Sequence, residues 1–203
     1  MSTTPAGTPP TAPPDTRPDT RPGTKPLRAD ARRNYDALIA AGHEVFTRDG
    51  TDAPMDDVAK EAGVGRGTLY RHFPSREHLL VAIMKDRVDL LDAEARELLD
   101  APDTWESLVR WLRRYDRSAT EYGGMSTRIG DGLADDGSPM AAACAPMKAS
   151  FARLWSRAQE EGVVRGDVTA VQVLALISAL PKHAEHGASA DTYLDVVLHG
   201  LRR

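Results

Sequence analysis

A single cysteine in 203 residues, Cys144, leaves no partner for an intramolecular disulfide and points to a reducing compartment. No apolar run reaches the roughly 18 residues that would suggest a transmembrane helix. The amino terminus carries prolines instead of the apolar core of a secretory signal, so a cytoplasmic location is expected. Positive charge is not in excess: 26 Lys and Arg face 30 Asp and Glu, for a net charge of -4. That balance excludes a strongly basic, nonspecific nucleic-acid binder. Alternating apolar and polar residues are missing too, so no strand is expected. No paired carboxylates and no nucleophile–histidine pair stand out. Gly63, Gly65 and Gly67 superficially look like a phosphate-cradling loop, but no strand precedes them and no Gly-Lys-Ser/Thr closes it. His183 and His186, three apart with Glu185 between, read as a polar loop. Neither metal nor cofactor is expected, and Cys144 reads as a small core residue.

What the chain does have is helical periodicity and one dense local motif. Residues 1–28 hold 8 of the 14 prolines and too little apolar surface to offset ordering entropy, so they read as a disordered tail. Ala29 to Asp49 is amphipathic through Tyr35, Leu38, Ile39, Gly42, Val45 and Phe46. Met55 to Ala62 forms a short helix whose opening acids, Asp56 and Asp57, suit the positive end of its dipole. Gly63 stops it, Val64 plugs the turn, and a second helix runs from about Gly65 to Phe73, where Pro74 ends it. Two helices around a short glycine turn are a helix-turn-helix, whose second helix enters the major groove.

The faces of that second helix are distinct. At about 100° per residue, Leu69 and Phe73 point inward, whereas Gly67 and Arg71 point outward. Thr68 and Tyr70 flank the outward face, Arg66 stands near the start and His72 near the end. These side chains suit phosphates and base edges. Gly67 costs about 1 kcal/mol of helix propensity at a position core packing cannot explain; close approach of the backbone to another molecule can. From Val64 to Arg76 there are three arginines and no acid. Arg76 is placed to meet a phosphate, as are Arg32 and Arg33 at the start of the first long helix.

Residues 32–80 resemble the DNA-binding domain of TetR-family transcriptional regulators. The resemblance rests on Leu38, Ile39, Ala41, Phe46, Asp49-Gly50, Val58-Ala59, Ala62-Gly63-Val64 and the run Gly67-Thr68-Leu69-Tyr70-Arg71-His72-Phe73. One departure is Gly65, where the family more often has a capping serine. The resemblance implies an all-α fold: an amino-terminal three-helix bundle with the helix-turn-helix over residues 29–76, and a helical ligand-binding and dimerisation domain over residues 77–203. It also implies a small-molecule pocket in the body, for a hydrophobic or amphipathic effector. Candidate walls are Trp111, Tyr115, Tyr122, Met125, Arg128, Met147, Phe151, Trp155 and His183.

Beyond the motif, Ser75 to about Asp100 reads as one long helix that can carry motion from body to head. Trp105 to Tyr115 marks another helix. A short one is expected around Met125, Ile129 and Leu133. Met140 to Ala158 repeats at helical spacing, and Pro146 predicts a kink or a later start there. Val168–Leu180 and Ala190–Leu201 are apolar on most sides and must be buried on most sides. One protomer cannot easily cover both, so a homodimer is expected through Val173, Leu176, Ile177, Leu180, Tyr193, Leu194, Val197, Leu198 and Leu201. A twofold dimer would read an inverted repeat in double-stranded DNA. The expected function is a ligand-released repressor on a palindromic operator, with no membrane partner. Two alternatives stay open: a DNA-binding protein without a small-molecule ligand, and an enzyme carrying a relic helix-turn-helix.

Overall fold

The computed structural model describes residues 24–120, 137–181 and 190–203. Among these residues there are eight helices and, apart from one isolated bridge, no extended pairing. The helices are α1 (Thr24–Asp49), α2 (Met55–Glu61), α3 (Arg66–His72), α4 (Arg76–Leu98), α5 (Thr104–Thr120), α6 (Pro139–Glu160), α7 (Ala170–Ser178) and α8 (Ala190–Leu201). The expected all-α class is what forms. The short helix expected around Met125 to Leu133 lies outside the described residues.

Helix α1 starts at Thr24, inside the segment expected to be an extended tail. Pro26 sits in its first turn, where the missing N–H has no intrahelical acceptor in any case, so proline there does not stop a helix. Leu38, Val45 and Phe46 are buried on its inner face with Val58, Leu69 and Phe73, and this cluster makes the head of α1–α3. Gly42 lets α1 lie close on α4: a Cβ there would come within 2.8 Å of Ile83 Cδ1. The head is thereby seated on the first turns of α4.

Below the head, α4 packs most extensively on α6, with α5 beside both and α7 against α5 and α6. Helix α6 runs from Pro139 through Pro146, so of the two outcomes expected there, a kink or a later start, the later start does not occur. Pro146 is exposed while Met140, Cys144, Met147, Phe151, Leu154, Trp155 and Ala158 are buried on the opposite side. An interior proline costs about 3 kcal/mol; burial of seven apolar side chains at about 1.5–3 kcal/mol for each large one outweighs it. Ser138 caps the start of α6 through Ala141 N, and Thr169 with Gln172 makes a reciprocal capping box on α7.

Charged side chains tie the layers. Glu94 of α4, nearly inaccessible to solvent, lies 2.8 Å from Arg110 and 3.3 Å from Arg114 of α5. Its Oε2 faces Arg114 without hydrogen-bond alignment. Arg113 meets Asp195 of α8 at 2.7 Å. The carboxyl terminus folds back on the loop after α6, where Arg165 N donates to Leu201 O and Arg203 N to Val163 O. Among the described residues no helix is long and apolar enough to cross a membrane.

Candidate nucleic-acid interface

The geometry of the α2–α3 turn follows from two glycines. Ala62 N, Gly63 N and Val64 N donate back to Val58, Lys60 and Ala59, closing α2. Gly63 takes φ +66°, the left-handed conformation that side chains resist. Gly65 follows in extended backbone and begins α3 without a side-chain cap, as expected of glycine where the family has serine. Backbone bonds from Thr68 N and Leu69 N to Gly65 O start the helix instead.

Its two faces stand as the periodicity predicts. Leu69 and Phe73 are buried, and Arg66, Gly67, Tyr70 and Arg71 are exposed. A Cβ built on Gly67 meets nothing within 4 Å, so that backbone is open to an approaching surface. Arg71 is exposed and makes no ion pair with any described residue. Arg66 is engaged: its guanidinium lies 3.0 Å from Asp56 of α2 and 5.9 Å over the Tyr70 ring. Thr68 is half-buried, and so is His72, whose ring stands edge-on to Tyr35 at 6.0 Å. His72 presents one edge and spends the other on the head.

Three of the arginines expected at phosphates sit differently. Arg76 is turned into the head, where Nη1 donates to Thr51 O at 2.6 Å and also to Ala53 O, and its guanidinium lies over Phe46. It holds the loop between α1 and α2. Arg32 and Arg33 lie some two turns inside α1 and not at its start. They are exposed, but each is paired along its own helix, with Asp36 and Asp30 respectively. A phosphate would have to compete with those carboxylates.

The turned-in Arg76 sets up a first prediction. Arg76→Ala leaves two loop carbonyls without their charged donor and should destabilise the protein by about 1–3 kcal/mol. The slope of DNA affinity against salt should stay that of the wild type, because no phosphate contact is lost. Thermal unfolding together with a salt titration of binding checks both; an unchanged melting temperature with a shallower slope would return Arg76 to the DNA.

In the body, five of the expected pocket residues form a packed aromatic core. Trp111 stacks on Phe151 at 4.3 Å and on Tyr115 at 5.5 Å, Trp155 adjoins Phe151, and Met147 is buried with them. Their polar atoms are satisfied: Trp111 Nε1 donates to Leu91 O and Trp155 Nε1 to Val168 O. Ser178 spends its one proton on Leu174 O, so the Tyr115 hydroxyl donates to Ser178 Oγ at 2.8 Å. Burial pushes the Tyr115 hydroxyl well above the ordinary phenol range, keeping it a donor. Rings at such distances leave no room for a ligand between them. Tyr122, Met125, Arg128 and His183 lie outside the described residues.

The expected dimer surface divides in two. Val173, Ile177, Leu194, Leu198 and Leu201 are buried inside the protomer and cannot meet a second copy. Their spacing on each helix makes one inward stripe against the rest of the body. Leu176 remains exposed, and Leu180, Tyr193 and Val197 are half-exposed. Val171 and Val196, absent from the expected surface, are exposed as well. The only signal for them was the all-round apolarity of both helices, which does not say which side faces out.

The comparisons with known proteins cover both halves of the chain. Residues 38–83 match the family described as bacterial regulatory proteins, tetR family, and residues 102–203 match the SbtR-like transcriptional regulator C-terminal domain. An HTH-type transcriptional regulator of Staphylococcus aureus is 36% identical over 80 residues, 38% of this chain and 42% of its own length. The uncharacterized HTH-type transcriptional regulator TtgW of Pseudomonas putida is 34% identical over 82 residues, 40% of this chain and 61% of its own length. The matched region thus spans only about half of these two relatives. A solved TetR transcriptional regulator from Streptomyces coelicolor is 34% identical, with a TM-score of 0.52 over 83% of this chain and 98% of that one. A helix-turn-helix head with an open outward face, joined by one long helix to a helical body, is thus accompanied by family matches in both parts; the chain belongs to the TetR family of transcriptional regulators.

Proposed function

We propose that the protein acts as a homodimeric repressor, held on an inverted-repeat operator until a small apolar or amphipathic effector releases it. The observation that carries the dimer is the outer face of the two terminal helices, where Val171, Leu176 and Val196 are 48%, 45% and 68% exposed. Large apolar side chains left to water on two neighbouring elements of the sequence mark an interaction surface. The outward Arg71–Tyr70–Gly67 face supplies the reading end. Two copies related by a twofold axis would set two such helices into successive major grooves. A bound dimer blocks a promoter by occupying it.

The effector reading draws on a groove between α4 and α6, about 340 Å³ in volume, lined by Val81, Met84, Val88, Met140, Ala143 and Pro146. Lys85 and Asp89, paired with each other, stand at its edge. The volume lies at the small end of ligand sites. An occupant there wedges apart the helix that carries the head and the helix that carries the body. The tightly stacked Trp111–Phe151 core is then the wall behind the movement.

A gel shift tests the reading. A duplex selected by the protein from a random pool should be bound as a dimer at a twofold-symmetric sequence, and a screen of apolar and amphipathic small molecules should find one that releases it. A specific shift that no small molecule relieves removes the effector. A single-copy complex on an asymmetric site removes the dimer.

A further inference from the structure

Two neighbouring side chains at the start of α4 reach in opposite directions. Arg76 reaches up into the head and holds the carbonyls of Thr51 and Ala53. Glu77 reaches down to the body, where its Oε1 accepts a hydrogen bond from Met140 N, in the first turn of α6, at 3.1 Å. The second contact joins residues 63 positions apart in the chain. Pro139 has no N–H, so Met140 offers the first backbone donor of α6, and a carboxylate there also meets the positive end of the helix dipole.

Further polar ties between α4 and α6 among the described residues lie far from the head. Ser150 Oγ donates to Asp92, and Arg157 Nη1 donates to Leu99 O and Ala101 O, just past the end of α4. Glu77 and Asp92 are about 22 Å apart along α4 at 1.5 Å per residue. Helix α6 is therefore pinned to α4 at both ends, and the upper pin adjoins Arg76, which grips the head. Between that pin and the groove there is no intervening layer, because Met140 lines the groove itself, with Val81 and Met84 one to two turns below Glu77.

We propose that Glu77 couples the amino-terminal end of α6 to the DNA-reading head, so that the position of that helix end and the setting of α2–α3 change together. Glu77 is a positioning residue and touches no DNA. The inference rests on the DNA-binding reading but needs no effector. Coupling between two sites is reciprocal: if moving the end of α6 changes DNA affinity, DNA bound to the head must steady the end of α6 by the same factor.

Hydrogen exchange in a peptide covering residues 137–147 reads this, with and without the duplex selected by the wild-type protein. In the wild type the duplex should slow exchange at the start of α6 by about fivefold or more, the lower end of usual coupling. Glu77→Ala should bind the duplex and lose that slowing, while Glu77→Gln, whose amide oxygen still accepts, should keep it. Glu77→Ser, polar but too short to reach, takes the place of the alanine variant if that one does not fold. Ser138→Ala separates coupling from capping, since Ser138 Oγ caps the same helix end through Ala141 N, within α6 and its own cap. It should speed exchange in the absence of DNA yet keep the DNA-induced slowing. If Glu77→Ala retains the slowing, or if Ser138→Ala loses it equally, Glu77 is a local cap and the proposal is overturned. If the wild-type protein selects no duplex at all, the DNA-binding reading itself is what fails.

Discussion

A double variant, Leu176→Glu with Val196→Glu, should run as a folded monomer and bind the operator about 10²- to 10⁴-fold more weakly than the wild type. The factor is the avidity gained when the second recognition helix binds from an already anchored dimer. The positions follow from burial. Leu176 and Val196 are exposed, so a carboxylate there leaves the protomer's core intact and meets only the partner. Two carboxylates facing their symmetry copies in an apolar interface would be both desolvated and mutually repelled. Ile177, one residue away, is the control. It is 0% exposed, and Ile177→Glu should unfold the body instead of dividing a dimer. Sedimentation and circular dichroism separate the two outcomes. A double variant that remains dimeric at micromolar concentration would place the interface elsewhere.

That contrast shows what the sequence could carry. The two faces of the recognition helix were legible because α3 is amphipathic: Leu69 and Phe73 are apolar among polar neighbours, and one periodicity fits them. Helices α7 and α8 offer no such contrast. Val171, Val173, Leu174, Leu176 and Ile177 are all apolar, so the pattern announces burial on most sides but does not divide core from interface. Long-range polar contacts left no trace either. Arg76 has the composition of a phosphate contact, and what turns it inward is a pair of carbonyls 25 and 23 residues back. Glu77 looks like an ordinary first-turn acid until α6 arrives beside it. Pro146 shows the opposite case: the helix does not start after it, because the local rule against proline was outweighed by burial along a whole helix face.

Arg71 should matter most among the reading residues. Arg66, the other arginine on α3, is already held by Asp56 and lies over the Tyr70 ring, so a base or phosphate must first displace a carboxylate. Arg71 lies on the outward face with Gly67 one turn earlier, where the lack of a side chain lets the backbone approach the duplex. A guanidinium so placed can take the two acceptors of a guanine edge at once, a contact worth about 1–3 kcal/mol of discrimination. A dimer uses it twice, so Arg71→Ala should cost about 2–6 kcal/mol of operator affinity and flatten base preference at one symmetric pair of positions. Arg66→Ala should cost less, because losing it also releases Asp56 to water. Measuring both variants against a panel of single-base operator changes decides between the two residues. Should Arg71→Ala keep the wild-type preference at every position while Arg66→Ala loses it at one, α3 would lie in the groove rotated toward its amino-terminal end.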